Sequence, residues 1–216
     1  MRWTVVIPAK SFPEAKSRLA PMSADAHAHR RLVEAIRSDT ITAACGAGPV
    51  TRVLVVVDRA DAIGAADVEW LVQTRPGLNA AVAEAAAFAA RSWPDDGIAA
   101  LVGDLPGLRP GELAETLDAA AAQPLSFVAD AAGTGTTLLA AVPGTVLRPE
   151  FGAGSAARHA VRATAIAAGP GLRHDVDTAD DLHDTAAHIG VGAATGAVLT
   201  DLGVTVRSTC LGMIGP

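Results

Sequence analysis

Lysine and cysteine are scarce: 216 residues hold two of each, against 15 arginines and 48 alanines. Cys45 and Cys210 have neither the number nor the spacing of a disulfide framework or a zinc site, so a reducing, cytoplasmic setting is expected. No run of 18 or more apolar residues occurs, and the N-terminus lacks a basic-then-apolar leader, which argues against a membrane span and against secretion. A net charge of −6 leaves no basic face for a phosphate backbone, so nucleic acid is not an expected partner. Both lysines follow alanines, so the phosphate-binding pattern G-x-x-x-x-G-K-[ST] cannot occur. The patterns H-E-x-x-H, C-x-x-C and G-x-S-x-G are missing too, which argues against zincins, redox dithiols and hydrolases built on a nucleophile elbow. One G-x-G-x-x-A string, at Gly152, Gly154 and Ala157, follows Arg148-Pro149-Glu150-Phe151 instead of a buried strand, which argues against a nicotinamide site.

What is present suits one globular domain acting on a small molecule, since half the residues are apolar and 19% are charged. Trp3 to Pro8 and Arg52 to Val57 are β-branched or continuously apolar runs, the pattern of strands covered on both faces. Shorter strands are expected at Glu69 to Gln73, Ile98 to Val102, Leu125 to Ala129 and Ala163 to Ala167, with Thr137 to Val142 completing a hairpin-like antiparallel pair. Between them lie helical stretches: one capped by Ser23 and running to Ala44, then Leu78 to Arg91, Gly111 to Ala122, Arg158 to Arg162 and Ala179 to His188. The alternation predicts an α/β fold, a single domain with a mixed, mostly parallel sheet flanked by helices, spanning residues 1–190. Residues 191–216 read as an extended Gly-rich tail. In such folds ligands bind beyond the carboxyl ends of the strands, so the loops there carry the candidate chemistry.

Four segments stand out. The loop after the first strand gathers Lys10, Lys16 and Arg18 among small residues, an arrangement suited to a polyphosphate, with a solvated basic loop as the bland reading. Asp104, in Gly103-Asp104-Leu105-Pro106, ends a buried strand, where one carboxylate suits a hard divalent ion such as Mg²⁺; Gly-Asp-x-Pro is also an ordinary turn. Asp175 and Asp177 alternate in an extended segment and so share a face, ahead of a helix that Thr178 and Asp181 cap; they are further metal candidates. Gly133-Thr134-Gly135-Thr136-Thr137 and Phe151-Gly152-Ala153-Gly154-Ser155, ahead of Arg158 and His159, form a second anion pocket or else mere turn chemistry.

In this order, and together with Ile7-Pro8-Ala9-Lys10 and Gly77-Leu78-Asn79-Ala80-Ala81, these segments resemble nucleotidyltransferases of glycosyltransferase-A type. They are most similar to the guanylyltransferases that activate a small phosphorylated acid on the way to the deazaflavin coenzyme F-420. The resemblance implies that GTP is bound by Pro8, Ala9, Lys10, Lys16, Gly77 and Asn79, and that Lys10, Lys16, Arg18 and Asp104 serve catalysis. It implies Mg²⁺ on Asp104, Asp175 and Asp177, and an acceptor near Thr137, Gly152 and Ser155. The family's acceptors are phosphoenolpyruvate, 2-phospho-L-lactate and 3-phospho-D-glycerate; the Ala and Arg content resembles an actinobacterial chain, which favours the first. A transferase for a sugar phosphate or molybdopterin, and a domain that binds GTP without turnover, are the alternatives.

Overall fold

The computed structural model describes residues 1–9, 17–22, 25–60 and 68–203. Seven strands, β1 (Trp3–Ala9), β2 (Val50–Val57), β3 (Glu69–Val72), β4 (Gly97–Leu101), β5 (Leu125–Ala129), β6 (Thr136–Ala141) and β7 (Thr164–Ala165), form one sheet in the order β3-β2-β1-β4-β6-β5-β7. β1 runs parallel to β2 and β4, β2 to β3, and β5 to β7, whereas β6 is antiparallel to both neighbours. The mixed, mostly parallel sheet and the hairpin-like pair are therefore as the sequence suggests.

The apolar runs follow from burial on both faces. Val5, Ile7, Val53, Val55 and Val57 pack under α1 (Ala26–Gly46) and α3 (Pro110–Ala120), while Val6, Leu54 and Val56 pack against α2 (Leu78–Ser92) and the Phe151–Ala156 segment. Alternate residues of each strand thus enter opposite layers. Two short helices, α4 (Ser155–His159) and α5 (Pro170–Arg173), close the far end. A third apolar cluster joins Leu19, Leu32 and Ile36 to Val176 and Leu182, clamping the Asp175–Asp177 segment beside the 3₁₀ turn Ser17–Met22.

Several boundaries differ from the sequence reading. Asp25 caps α1, its side chain accepting from the Ala28 N–H at 2.8 Å; Ser23 lies outside the described residues. The helix read at Arg158 to Arg162 occupies Ser155–His159 instead, started by Gly154 in the left-handed region at φ 71°. The strand read at Ala163 to Ala167 is only a two-residue exposed edge. α6 (Ala179–Asp184) has the capping box foreseen at Thr178 and Asp181, then widens into a π turn at Thr185–Ile189.

The largest departure lies in the stretch read as an extended tail. Residues 193–201 form α7 (Ala193–Asp201), whose first amides are capped by a side chain of another helix. The buried Asp39 of α1 accepts from the Ala194 and Thr195 N–H groups at 3.0 and 2.8 Å. A cap 155 positions away in the chain supplies what local sequence lacks.

Candidate active site

The parallel strands end together on one edge. Ala9 lies beside Val57 in the ladder, and the Gly103 that follows β4 meets the end of β1 so closely that a Cβ there would stand 3.3 Å from the Pro8 carbonyl oxygen. Asp104 is consequently set beside Pro8 and Ala9, where the first loop departs. Its turn is anchored on three sides: the Leu105 N–H donates to the Thr40 hydroxyl at 3.0 Å, the Val176 N–H to the Asp104 carbonyl at 3.0 Å, and the Gly192 N–H to the Pro106 carbonyl at 2.8 Å. The Val176 bond seats the Asp175–Asp177 segment against Asp104. One residue before that turn, the Val102 N–H donates to the Thr137 carbonyl at 3.0 Å, bringing the start of β6 to the same edge.

Asp175 and Asp177 share a face, as their alternation implies, and both line a cleft of about 420 Å³ together with Asp130, Asp181, Asp184 and Thr185. Among the described residues no three His, Cys, Asp or Glu side chains are gathered as a metal-holding group. Asp175 and Asp177 line the acidic cleft, and the Val176 N–H bond holds their segment against Asp104. The donor set still fits a hard divalent ion, because Mg²⁺ needs only one or two carboxylates when waters and substrate phosphates complete its shell. Arg18 is exposed beside this edge, on the turn whose Leu19 is fully buried; Lys10 and Lys16 lie outside the described residues.

Gly77, expected from the sequence to contact the nucleotide, precedes α2 with φ 101°, a conformation that favours glycine. Asn79, expected to contact nucleotide, is engaged differently. Its Nδ2 donates to the Phe151 carbonyl at 3.1 Å and its Oδ1 accepts from the Phe151 N–H at 2.7 Å. The amide is thus committed to the Phe151 backbone 72 positions away.

The second anion pocket also differs in detail from the sequence reading. In the Gly133–Gly135 turn the amides of Thr134 and Gly135 donate to the Asp130 carboxylate, each at 2.8 Å, so an internal acid occupies the nest. Arg173 braces the same turn through the Ala129 and Asp130 carbonyls at 3.1 and 2.8 Å. Arg158, read as an anion ligand, donates to the carbonyls of Glu150 and Ala153 at 2.8 and 2.7 Å. Beneath the loop, Thr137 and Ser155 are buried while Gly152 is exposed at φ 119°. The Thr137 hydroxyl has no hydrogen-bond partner among the described residues, and the Ser155 hydroxyl lies 3.1 Å from that of Thr136.

His159 completes this layer. Its Nε2 accepts from the Glu150 N–H at 3.0 Å and its Nδ1 stands 2.8 Å from the Thr136 hydroxyl, with Phe151 edge-on to the ring at 5.4 Å. Burial holds its pKa below the ordinary imidazole value, the Glu150 carboxylate working against that and Arg158 with it. Sequence reasoning saw His159 only as part of an anion pocket, and missed Asp130, Arg173, Thr40 and Asp39. Arg173, Thr40 and Asp39 act on backbone groups far along the chain, where no local pattern reveals the partner, whereas Asp130 accepts from amides four and five positions on.

Known proteins resemble this chain in sequence and in fold. A phosphoenolpyruvate guanylyltransferase of Streptomyces scabiei is 46% identical over 214 residues, covering 94% of this chain and 98% of the relative. One of the same name from Geodermatophilus obscurus is 47% identical over 209 residues, covering 91% and 94%. Among solved structures, a candidate nucleotide-diphospho-sugar transferase from Desulfovibrio desulfuricans shares the fold at a TM-score of 0.73 and 13% identity, covering 93% of this chain and 95% of that one. A Mycobacterium tuberculosis protein solved with manganese matches at 0.56 and 23% identity, covering 84% and 95%. A family model described as "Guanylyl transferase CofC like" matches residues 3–210. The chain therefore belongs to the CofC-like guanylyl transferase family and is a nucleotidyltransferase.

Proposed function

We propose that this enzyme transfers the guanylyl group of GTP to the phosphate of phosphoenolpyruvate, releasing pyrophosphate, and that the product feeds deazaflavin coenzyme F-420 biosynthesis. The acceptor follows the names of the relatives at 46% and 47% identity; 2-phospho-L-lactate is the next candidate. The observation that carries the reading is the pair of backbone bonds flanking Gly103, Val102 to Thr137 and Val176 to Asp104. They draw β6 and the acidic segment to the turn after β4, whose Gly103 meets the end of the first strand.

The chemistry asks little of acid–base catalysis. An acceptor phosphate oxygen attacks the α-phosphorus, the bond from that phosphorus to the bridging oxygen breaks, and pyrophosphate leaves with the electron pair. Because the nucleophile is already an anion, no general base is required. The protein must hold two polyanions in line and offset the charge that develops between them. Lys10, Lys16 and Arg18 serve the triphosphate, and Pro8, Ala9 and Gly77 shape the nucleotide side. Thr137, Gly152 and Ser155 receive the acceptor; the unpartnered Thr137 hydroxyl favours this, since a buried orphan hydroxyl costs about 1–3 kcal/mol. Asp104 with the Asp175–Asp177 segment would hold a divalent cation, Mg²⁺ first among candidates, which when bound supplies charge neutralisation at the α-phosphate and the leaving group.

The test is pyrophosphate release on mixing protein, GTP, Mg²⁺ and, in parallel, phosphoenolpyruvate, 2-phospho-L-lactate or 3-phospho-D-glycerate. Fastest release with phosphoenolpyruvate is expected. GTP binding without release under any acceptor would overturn the reading in favour of a nucleotide-binding domain.

A further inference from the structure

The acceptor loop springs from Glu150 and Phe151, and both of their amides are held by side chains of other elements. The Glu150 N–H donates to Nε2 of His159 at 3.0 Å, and the Phe151 N–H to Oδ1 of Asn79 at 2.7 Å. Beyond Phe151 the chain turns on Gly152 and Gly154, at φ 119° and 71°. An amide donating to Nε2 requires that nitrogen to be unprotonated, which places the imidazole proton on Nδ1, facing the Thr136 hydroxyl at 2.8 Å. Thr136 in turn adjoins Thr137 in the chain and stands 3.1 Å from the Ser155 hydroxyl. One neutral imidazole therefore ties together the start of the acceptor loop, its end and the strand beneath it.

We infer that His159 and Asn79 are positioning residues for the phosphorylated acid, and that protonation of His159 weakens acceptor binding by turning an N–H toward the Glu150 amide and releasing the loop. This rests on the assignment of Thr137, Gly152 and Ser155 to the acceptor. It also moves Asn79 from nucleotide contact to acceptor positioning. The charged groups around the ring are Glu150, which favours the imidazolium, and Arg158, which opposes it; β5 and β6 present Phe127 and Thr136, neither charged. Burial opposes the imidazolium most, so the change falls on the acid side of the ordinary imidazole range.

The experiment measures KM for phosphoenolpyruvate and for GTP separately, with Mg²⁺ and the full chain, in wild type, Asn79→Asp, His159→Phe and His159→Gln. Asn79→Asp sets a carboxylate oxygen against the Phe151 carbonyl, and His159→Phe keeps an aromatic ring while removing both hydrogen bonds. Each is expected to raise KM for phosphoenolpyruvate about tenfold and leave that for GTP within about twofold. His159→Gln offers a non-titrating acceptor to the Glu150 amide, so it is expected to keep near-wild-type KM at neutral pH. Between neutral pH and about pH 5.5 its KM should climb less than that of wild type, because titration of the acceptor phosphate, near pH 6, is common to both. Equal rises in both KM values for Asn79→Asp, or coincident pH profiles for wild type and His159→Gln, would overturn the inference. Melting curves report whether each variant folds, and if His159→Phe does not, the other two decide. Absence of wild-type pyrophosphate release would instead sink the acceptor assignment itself.

Discussion

The two halves of the sheet hold their functional groups in different ways. In the parallel half, β3-β2-β1-β4, strands buried on both faces fix the frame by ladder hydrogen bonds and packing, and Asp104 follows the end of β4. In the half built from β6, β5 and β7, the loops are held by single polar side chains reaching backbone groups: Asp130, Arg158, Arg173, His159 and, from α2, Asn79. A frame of apolar layers tolerates a changed polar residue at its edge. A loop held by one side chain per amide loses its geometry with that side chain, so the second half is the more vulnerable to point substitution and to pH.

That contrast can be broken or sharpened by experiment. Asp104→Asn should lower kcat by about a hundredfold or more, with a melting temperature unchanged or raised, the outcome expected of an acid that we assign to the reaction. A collapse of stability would mark Asp104 as structural and erase the distinction. Ser155→Ala, in the half held by side chains, should raise KM for phosphoenolpyruvate by about tenfold with little change for GTP; equal effects on the two substrates would merge the halves into one binding site.

Asp39→Ala probes the frame alone. It strips the buried cap from α7 and should cost about 1–2 kcal/mol in urea unfolding, which for a chain of this size lowers Tm by a few degrees at about 2–4 °C per kcal/mol. The KM values should move little. The smallest expected effect is on the pH dependence of stability. His159 has a lowered folded pKa, so the unfolded chain binds more protons as pH falls through the ordinary imidazole value near 6.5. Stability due to the neutral imidazole is then present above that pH and lost below it. His159→Gln should flatten the fall in Tm between about pH 7 and pH 5.5, and an unchanged slope would show that other groups set it.

Legibility tracks the same division. Strands such as Val50–Val57 were readable because burial on both faces writes itself as a continuous apolar run, and the Thr178–Asp181 cap because its partners are three positions apart. The grouping of Asp104 with Asp175 and Asp177 was legible as a shared edge. The role of Asn79 was read toward nucleotide, because nothing near it in the chain announces that its partner is Phe151.

By itself the sequence determined the sheet-and-helix alternation and which residues follow the strand ends, since periodicity and strand ends are local consequences of burial. Tertiary structure alone decided that Asp39 caps a helix over residues 193–201, that Asn79 holds the Phe151 backbone, and that His159 is buried against the Glu150 N–H with its pKa lowered. Each is a polar group satisfied by a partner that only the folded chain brings within reach, and a buried hydrogen bond of that kind leaves no periodic trace in the sequence.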